Sequence, residues 1–358
     1  MSTKLFSSFQ LGAYALKNRI VMAPMTRCRA IGNIPNDLMA EYYAQRADAG
    51  LIITEGVAPS PNGLGYVRIP GIYSPAQVEG WKKVTSAVHA KGGHIFIQLM
   101  HTGRVSHPAN MPQGARILGP SAIALEGKMY TDASGNQDYP TPEAMTLADI
   151  QQAQEEYVTA SKNAIAAGFD GVELHGANGY LIDQFINPAS NQRTDEYGGS
   201  LENRNRFAIE VAQKVANAIG AGRLGIRLSP NGVASGMAIY PEAQEAYSML
   251  AKELAALGLV YLHIPDHSSM GAPAVGDEIK SAIRASFNGT ILFCGGLNKD
   301  SAELALQENK GELAVFGRPF ISNPDLVNRM ENNLALQDPD FSKFYSASKE
   351  GYTDYPTA

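Results

Sequence analysis

Short apolar stretches rich in β-branched residues recur along the chain, and most are followed by a longer segment with apolar residues every three or four positions. The first pattern is typical of buried strands and the second of amphipathic helices. We predict eight strands, at Ile20–Met25, Leu51–Val57, His94–Leu99, Gly171–His175, Leu224–Leu228, Tyr261–Pro265, Thr290–Cys294 and Leu313–Phe316. We predict helices at Leu147–Ala167, Leu201–Ile219, Glu242–Leu257, Gly276–Phe287, Ser301–Glu308 and Asn323–Leu334.

The alternation of strands and helices predicts an α/β fold with a parallel sheet and right-handed crossovers. Eight repeats close such a sheet into a (β/α)8 TIM barrel, and a barrel with insertions reaches 358 residues as one unit. We therefore predict a single domain over residues 1–358. In this fold the active site lies at the carboxyl ends of the strands, so the residues that follow each strand are the candidates.

Two segments depart from the repeat. The first nineteen residues alternate polar and apolar positions around Phe9-Gln10-Leu11 and Tyr14-Ala15-Leu16, which predicts a hairpin beneath the barrel. A long stretch rich in Gly, Pro and Asn, about residues 101–145, separates the third strand from its helix. Because a loop of that length in a compact domain is usually functional, we predict a lid or small subdomain over the barrel mouth.

Charge and composition exclude several classes of function. The net charge is −6 and the positive residues form no run, so we expect neither a nucleic-acid surface nor a basic membrane face. The amino terminus lacks the apolar stretch of a signal peptide and no window approaches a membrane span, so a cytoplasmic protein is expected. Cys28 and Cys294 are too few for an iron–sulfur cluster, and no metal site is predicted.

Polar side chains follow three of the predicted strands. Thr26 follows the first strand and Gln98 ends the third. His175, Asn178 and Tyr180 follow the fourth strand within six residues, and all three can donate hydrogen bonds to an anionic oxygen. A lone threonine would more often cap the backbone, and a lone histidine would more often be structural. The density of the group after the fourth strand favours a catalytic site.

The remaining strand ends predict a phosphorylated ligand. Arg227 ends the fifth strand and needs an anion or an internal ion pair. Gly295-Gly296 and Gly317-Arg318 follow the seventh and eighth strands, where barrels of this type bind phosphate through backbone N–H groups. FMN fits this pattern. A dinucleotide-binding domain is not predicted, because no strand is followed by GxGxxG.

At these residues the chain resembles the Old Yellow Enzyme family over essentially its whole length, and it is similar to the bacterial N-ethylmaleimide, pentaerythritol tetranitrate and morphinone reductases of that family. The most specific matches are Gln98-Leu99 with His101-Thr102-Gly103-Arg104, the group of His175, Asn178 and Tyr180, Arg193-Thr194-Asp195-Glu196-Tyr197-Gly198-Gly199-Ser200, and Phe316-Gly317-Arg318-Pro319-Phe320-Ile321.

The resemblance implies that FMN is bound without a covalent link, by residues at the positions that bind it in the family. Thr26 would hydrogen-bond flavin O4, and Gln98 and Arg227 would contact the pyrimidine edge. The other positions that the resemblance assigns to the cofactor are Pro24, Met25 and Ala58 beside the ring and Gly295, Gly296, Gly317 and Arg318 at the phosphate.

The resemblance also implies an ene-reductase. Hydride would pass from NADPH or NADH to FMN, and from FMN to the β-carbon of an enone, maleimide or nitroalkene. His175 and Asn178 would bind the substrate's carbonyl or nitro oxygen, and Tyr180 would protonate the α-carbon. Tyr66 and Tyr345 would line the substrate pocket, as would Met100, where close relatives often carry tryptophan. The expected assembly is a monomer or a homodimer.

Other readings fit the residues less well. A Schiff-base aldolase needs a lysine at an inner strand end, and none of the eight strands ends in one. The dienoyl-CoA reductase branch of the family needs more cysteines for its cluster. A third branch carries cysteine where this chain has Thr26, and Cys28 lies two residues away. A flavin-binding barrel without catalytic activity would not explain the group of His175, Asn178 and Tyr180.

Overall fold

Eight parallel strands form a closed barrel in a computed structural model that describes residues 3–358. Each strand pairs with the next along the chain, and the eighth pairs with the first. The strands are Ile20–Met22, Leu51–Val57, Ile95–Leu99, Gly171–Gly176, Leu224–Leu228, Tyr261–Pro265, Thr290–Cys294 and Leu313–Phe316. The predicted (β/α)8 barrel is confirmed.

The strand boundaries differ from the prediction mainly in the first strand. It ends at Met22, and Ala23, Pro24 and Met25 leave the sheet to line a cavity at the mouth. Proline has no N–H to donate to a ladder, which is a physical reason for the early end. The fourth strand continues one residue further than predicted, to Gly176.

Helices surround the barrel. All six predicted helices, from Leu147 onward, are present within a few residues of the predicted bounds, whereas the helices Asp37–Gln45 and Pro75–His89 were not predicted from the sequence. The helices are Asp37–Gln45, Pro75–His89, Leu147–Ala166, Leu181–Ile186, Leu201–Ile219, Ala243–Ala256, Asp277–Ser286, Lys299–Gln307, Arg318–Ser322 and Leu326–Glu331. One of the two that were missed carries a sequence signal, because Ser74 and Gln77 form a capping box at its start.

The predicted amino-terminal hairpin closes the bottom of the barrel. Its strands, Phe9–Leu11 and Tyr14–Leu16, are antiparallel. Leu11 and Leu16 are buried in a cluster with inward-facing barrel residues such as Phe96. Met1 and Ser2, which the predicted nineteen-residue segment includes, lie outside the described residues.

The segment predicted as a lid, about residues 101–145, forms a small layer of its own beside the mouth. It contains an antiparallel hairpin, Lys128–Thr131 with Gly135–Asp138, and a parallel pair, Leu118–Gly119 with Glu143–Ala144. Lys128, Met129 and Tyr130 line a cavity at the mouth. The lid role and the single-domain assignment stay predictions.

Buried arginines fix the carboxyl-terminal segment against the barrel. Arg27 donates to the carbonyl oxygens of Phe344, at 3.2 Å, and Gly351, at 2.6 Å. Arg29 donates to the carbonyl oxygen of Lys343 at 2.9 Å. These bonds hold the chain around Tyr345 beside the mouth. Within residues 3–358, each helix is either too short or too polar to be a candidate membrane span.

Candidate active site

A cavity of about 340 Å³ lies where the first, seventh and eighth strands reach the mouth. We call it the phosphate-side cavity. Most of the residues predicted to hold a cofactor meet at this cavity. They come from the ends of four different strands. The predicted residues that line it are Pro24, Met25, Arg227, Gly295, Gly296, Gly317 and Arg318.

Two cations face this cavity without an anionic partner. Arg227 is 6% exposed, and its buried Nε has no hydrogen-bond partner. Within residues 3–358, no carboxylate pairs with Arg227 or with Arg318, whose guanidinium instead lies near Met270 Sδ and the ring of Phe341. Because a buried charge without a partner is costly, Arg227 needs an anionic or electron-rich ligand, whereas Arg318 is exposed and can reach one from the rim. The cavity is therefore chemically matched to an anionic ligand with exposed acceptors.

The glycines that line the phosphate-side cavity differ in whether a side chain could replace their hydrogen. Gly295 and Gly296 have φ of 155° and 59°, and an added Cβ would lie 2.6 Å from the Asp266 carbonyl oxygen and 2.5 Å from Ser269 Cβ, respectively. Both positions therefore need glycine. A Cβ on Gly317 would meet protein atoms no nearer than 3.7 Å. Position 317 thus leaves open space beside Arg318, which fits a phosphate group.

Gln98 belongs to a buried polar network of the barrel strands, which adjoins Arg227 because His263 pairs with Arg227 in register. Its Nε2 donates to Glu173 at 2.7 Å, and His263 Nδ1 lies 2.9 Å from the other carboxylate oxygen. A carboxylate can only accept hydrogen bonds, so Glu173 orients the amide of Gln98 with Nε2 toward itself. The Oε1 atom of Gln98 is then left to accept a hydrogen bond from a ligand. Gln98 can accept from the flavin N3–H, and Arg227 Nε can donate to a neighbouring carbonyl. The residues present therefore fit an isoalloxazine edge.

His175 is a neutral hydrogen-bond donor in this site. Burial, reinforced by the positive charge of Arg227, holds the pKa of His175 well below its usual value. Its Nδ1 accepts from the backbone N–H of Ala177 at 3.3 Å, so the ring proton resides on Nε2. The ring lies edge-on to Tyr180, with 4.7 Å between the centroids.

Asn178 lies in a strained turn that buried groups support. Its φ is 58°, in the left-handed region, and its N–H donates to Ser229 Oγ at 2.9 Å. Asp183 accepts from Ser229 Oγ at 3.3 Å and from the N–H of Gly179 at 2.8 Å. Burial raises the pKa of Asp183 to about 7. The side-chain Oδ1 of Asn178 lies 3.0 Å from His267 Nε2.

Tyr180 forms the wall between two further cavities. Its hydroxyl lies 3.0 Å from the hydroxyl of Tyr66, and both rings line each cavity. The Asn178 cavity, of about 440 Å³, also includes Asn178 and His267. The Tyr345 cavity, of about 710 Å³, also includes Thr26 and Tyr345. Burial raises the pKa of Tyr180 above its usual value, so the hydroxyl keeps its proton at neutral pH.

Besides Gln98 and His175, two further predicted residues are buried and line none of these cavities in residues 3–358. Ala58 is fully buried, and its backbone N–H and carbonyl are both bonded to the segment around Gly71. Met100 is 1% exposed and packs in a cluster with Ala58, Leu64 and Ile69, against which Tyr66 and Tyr180 pack. Within the described residues, none of Gln98, His175, Ala58 and Met100 lines the phosphate-side cavity, the Asn178 cavity or the Tyr345 cavity. Their roles toward cofactor and substrate stay predictions.

Met100 has little room to grow, which leads to a prediction. A Cβ on Gly56 would already lie 2.5 Å from Met100 Sδ. We expect Met100→Trp to destabilise the protein by about 1–3 kcal/mol through overpacking and to lower turnover of small and bulky alkenes alike. Thermal unfolding and a panel of enones measure this. A selective loss of bulky substrates at unchanged stability would show instead that Met100 shapes the pocket.

Comparison with known proteins places the site in a family. The family model described as NADH:flavin oxidoreductase / NADH oxidase matches residues 4–337. The chain is 40% identical to 12-oxophytodienoate reductase 7 of Oryza sativa subsp. japonica, over 98% of this chain and 94% of that protein. It is 42% identical to a probable flavin mononucleotide-dependent alkene reductase of Leishmania infantum, over 97% and 95%.

Solved structures show the same fold at similar identity. Morphinone reductase superposes with a TM-score of 0.96 and is 42% identical, covering 99% of this chain and 96% of that one. An Old Yellow Enzyme homologue from Zymomonas mobilis gives a TM-score of 0.94 at 39% identity, covering 98% and 99%. The chain therefore belongs to the NADH:flavin oxidoreductase / NADH oxidase family and is an FMN-dependent, nicotinamide-linked oxidoreductase of the Old Yellow Enzyme type.

Proposed function

We propose that this protein reduces activated alkenes such as enones, maleimides and nitroalkenes, with NADPH or NADH as the hydride donor. The observation that carries the proposal is the convergence of His175, Asn178 and Tyr180: Asn178 and Tyr180 line the Asn178 cavity, and the buried ring of His175 packs edge-on against Tyr180. The relatives add support, because two of them are named as an oxophytodienoate reductase and an alkene reductase. A morphinone reductase structure contains tetrahydroNAD, which supports a nicotinamide nucleotide as the partner of the same site.

FMN, bound without a covalent link, would supply the hydride-transfer chemistry between the nucleotide and the β-carbon of the alkene. Thr26, Gln98 and Arg227 would hold its ring, and the residues that would hold its phosphate are Gly295, Gly296, Gly317 and Arg318. His175 and Asn178 bind the carbonyl or nitro oxygen of the alkene. His175 donates from Nε2, since its Nδ1 already accepts from Ala177. Asn178 donates from its amide nitrogen, since its Oδ1 faces His267. Both donors stabilise the negative charge that develops on this oxygen, which makes the β-carbon electrophilic.

Tyr180 supplies the proton to the α-carbon. Its raised pKa keeps the hydroxyl protonated until negative charge develops on the substrate. Tyr66 donates a hydrogen bond to the phenolate of Tyr180, across the 3.0 Å that separates the two oxygens, and keeps its own proton. A proton from solvent, which reaches Tyr180 through the open cavities on either side of it, restores the hydroxyl before the next turnover.

Isotope labelling tests the proposed reaction directly. Reduction of cyclohexenone with nucleotide deuterated at the transferable position should place deuterium at the β-carbon of the saturated ketone. Reduction with unlabelled nucleotide in heavy water should place it at the α-carbon, because the tyrosine hydroxyl exchanges with solvent. Absence of the saturated ketone, or deuterium from the nucleotide at the α-carbon, would contradict the proposal.

Thr26, four residues after the first strand, is proposed to hydrogen-bond the flavin ring. It is half-buried and lines the Tyr345 cavity next to Tyr180. We expect Thr26→Ala to retain FMN but to make it harder to reduce, because about 1 kcal/mol of hydrogen bonding to the reduced ring is lost. Potentiometric titration measures this, with Thr26→Ser as the control that keeps the hydroxyl. An unchanged potential would show that Thr26 only caps the backbone.

A further inference from the structure

His267 is placed to act on the substrate-binding amide, although the sequence pattern did not single it out. It follows the sixth strand, Tyr261–Pro265, by two residues and is half-buried. Its ring lines both the phosphate-side cavity and the Asn178 cavity. Its Nε2 lies 3.0 Å from Asn178 Oδ1, a contact between residues 89 positions apart. His267 therefore joins the sixth strand end to the fourth at the point where substrate is proposed to bind.

The chemistry of this contact fixes the direction of the hydrogen bond. An amide oxygen can only accept, so His267 must donate from Nε2. The backbone of Asn178 is held separately, because its N–H donates to Ser229 Oγ at 2.9 Å. With the backbone fixed and Oδ1 occupied by His267, the Nδ2 hydrogens of Asn178 are the groups left to face the cavity.

The opposite orientation of the amide would defeat substrate binding. If the side chain of Asn178 turned by 180°, its Oδ1 would face the carbonyl or nitro oxygen of the substrate. Two acceptors would then oppose each other, and His175 alone would bind the oxygen. A free asparagine amide has no strong intrinsic preference between these orientations, so a neighbouring donor must choose one.

We propose that His267 is a positioning residue that holds the Asn178 amide with Nδ2 toward the substrate's oxygen, an inference that rests on the proposed function of Asn178. It does not touch the reacting atoms in this role. Its contribution is to ground-state binding of an oxygen-bearing ligand, so its loss should raise the substrate KM more than it lowers kcat.

The test uses the FMN-loaded protein and phenol as a probe that places one oxygen in the site. We expect His267→Leu, which removes the donor, to raise the dissociation constant of phenol about tenfold by calorimetry. His267→Gln is the matched control, because its side-chain amide can donate to the same Oδ1, and it should restore most of the affinity. In an Asn178→Ala background, His267→Leu should have little further effect.

The possible results separate this inference from the function on which it rests. If Asn178→Ala weakens phenol binding but His267→Leu does not, the positioning role is wrong and the substrate-binding role of Asn178 stands. If His267→Leu weakens binding equally in the Asn178→Ala background, the histidine acts on the site generally, and the inference is overturned. If Asn178→Ala itself leaves phenol affinity unchanged, the assignments of Asn178 and His267 both fail.

Discussion

Replacing Tyr180 with phenylalanine is expected to slow reoxidation of the reduced protein by cyclohexenone by roughly 10²–10⁴-fold, the usual contribution of general-acid catalysis. Reduction by NADPH or NADH should change far less, because that half-reaction needs no proton at the α-carbon. Anaerobic stopped-flow absorbance at the flavin band measures both halves separately. The ring of Tyr180 remains in the variant, so its packing with Tyr66 and His175 is retained.

Tyr66→Phe is the matched control for this experiment. Tyr66 lines the same two cavities and its hydroxyl is 3.0 Å from that of Tyr180, but no proton transfer to substrate is assigned to it. We expect its reoxidation rate to fall much less than that of Tyr180→Phe. Equal slowing of both half-reactions in Tyr180→Phe, or a larger effect in Tyr66→Phe, would remove Tyr180 from its role as proton donor.

The second large effect is expected at Gly317, where a side chain would enter the phosphate-side cavity. A Cβ there would meet only Ala23 and Met25, at 3.7 Å, so Gly317→Leu should fold and place its bulk in the cavity. We expect FMN affinity to fall by roughly ten- to a hundredfold, the equivalent of 1–3 kcal/mol of overpacking against the ligand. Fluorescence titration of the apoprotein with FMN measures the change.

The control for Gly317→Leu is Gly222→Leu, at a solvent-exposed position with no atom within 4 Å of the added Cβ. It should bind FMN like the parent protein. Thermal unfolding of both apoproteins separates loss of affinity from loss of fold. Unchanged FMN affinity in a folded Gly317→Leu protein would mean that the phosphate binds elsewhere.

The barrel was predictable because each strand is a short buried apolar run and each helix has a periodic apolar face. Seven of the eight strands agree with the prediction at both ends within one residue; the first ends three residues early, where Pro24 cannot donate to the sheet. The helices Asp37–Gln45 and Pro75–His89 were missed, although the capping box at Ser74 marks one of them.

The predicted site residues that follow strands could be found from the sequence, because the carboxyl ends of all strands meet at one mouth. Asn178 and Tyr180 follow the fourth strand, and His175 and Arg227 are the last but one residues of the fourth and fifth strands. Their supporting contacts could not be found, since these join residues far apart in the sequence: Glu173 with His263 and Asn178 with His267. The position of His267, two residues after the sixth strand, is a weak indication from the sequence that it lies at the barrel mouth.

The carboxyl-terminal segment shows another limit of sequence reasoning. Arg27 and Arg29 are almost fully buried, although charged residues usually lie at the surface. Their guanidinium groups donate to carbonyl oxygens more than 300 residues away, including that of Phe344. Backbone acceptors leave no pattern in the sequence, so neither the burial of these arginines nor the position of Tyr345 at the mouth could be derived from local residue types.

The most direct test of the account is a two-step anaerobic experiment on the purified protein loaded with FMN. NADPH or NADH should bleach the flavin absorbance in the first step, and cyclohexenone added to the reduced protein should restore it with formation of one saturated ketone per flavin. A flavin that the nucleotides do not reduce, or that is reduced but not reoxidised by any enone, maleimide or nitroalkene, would contradict the central claim.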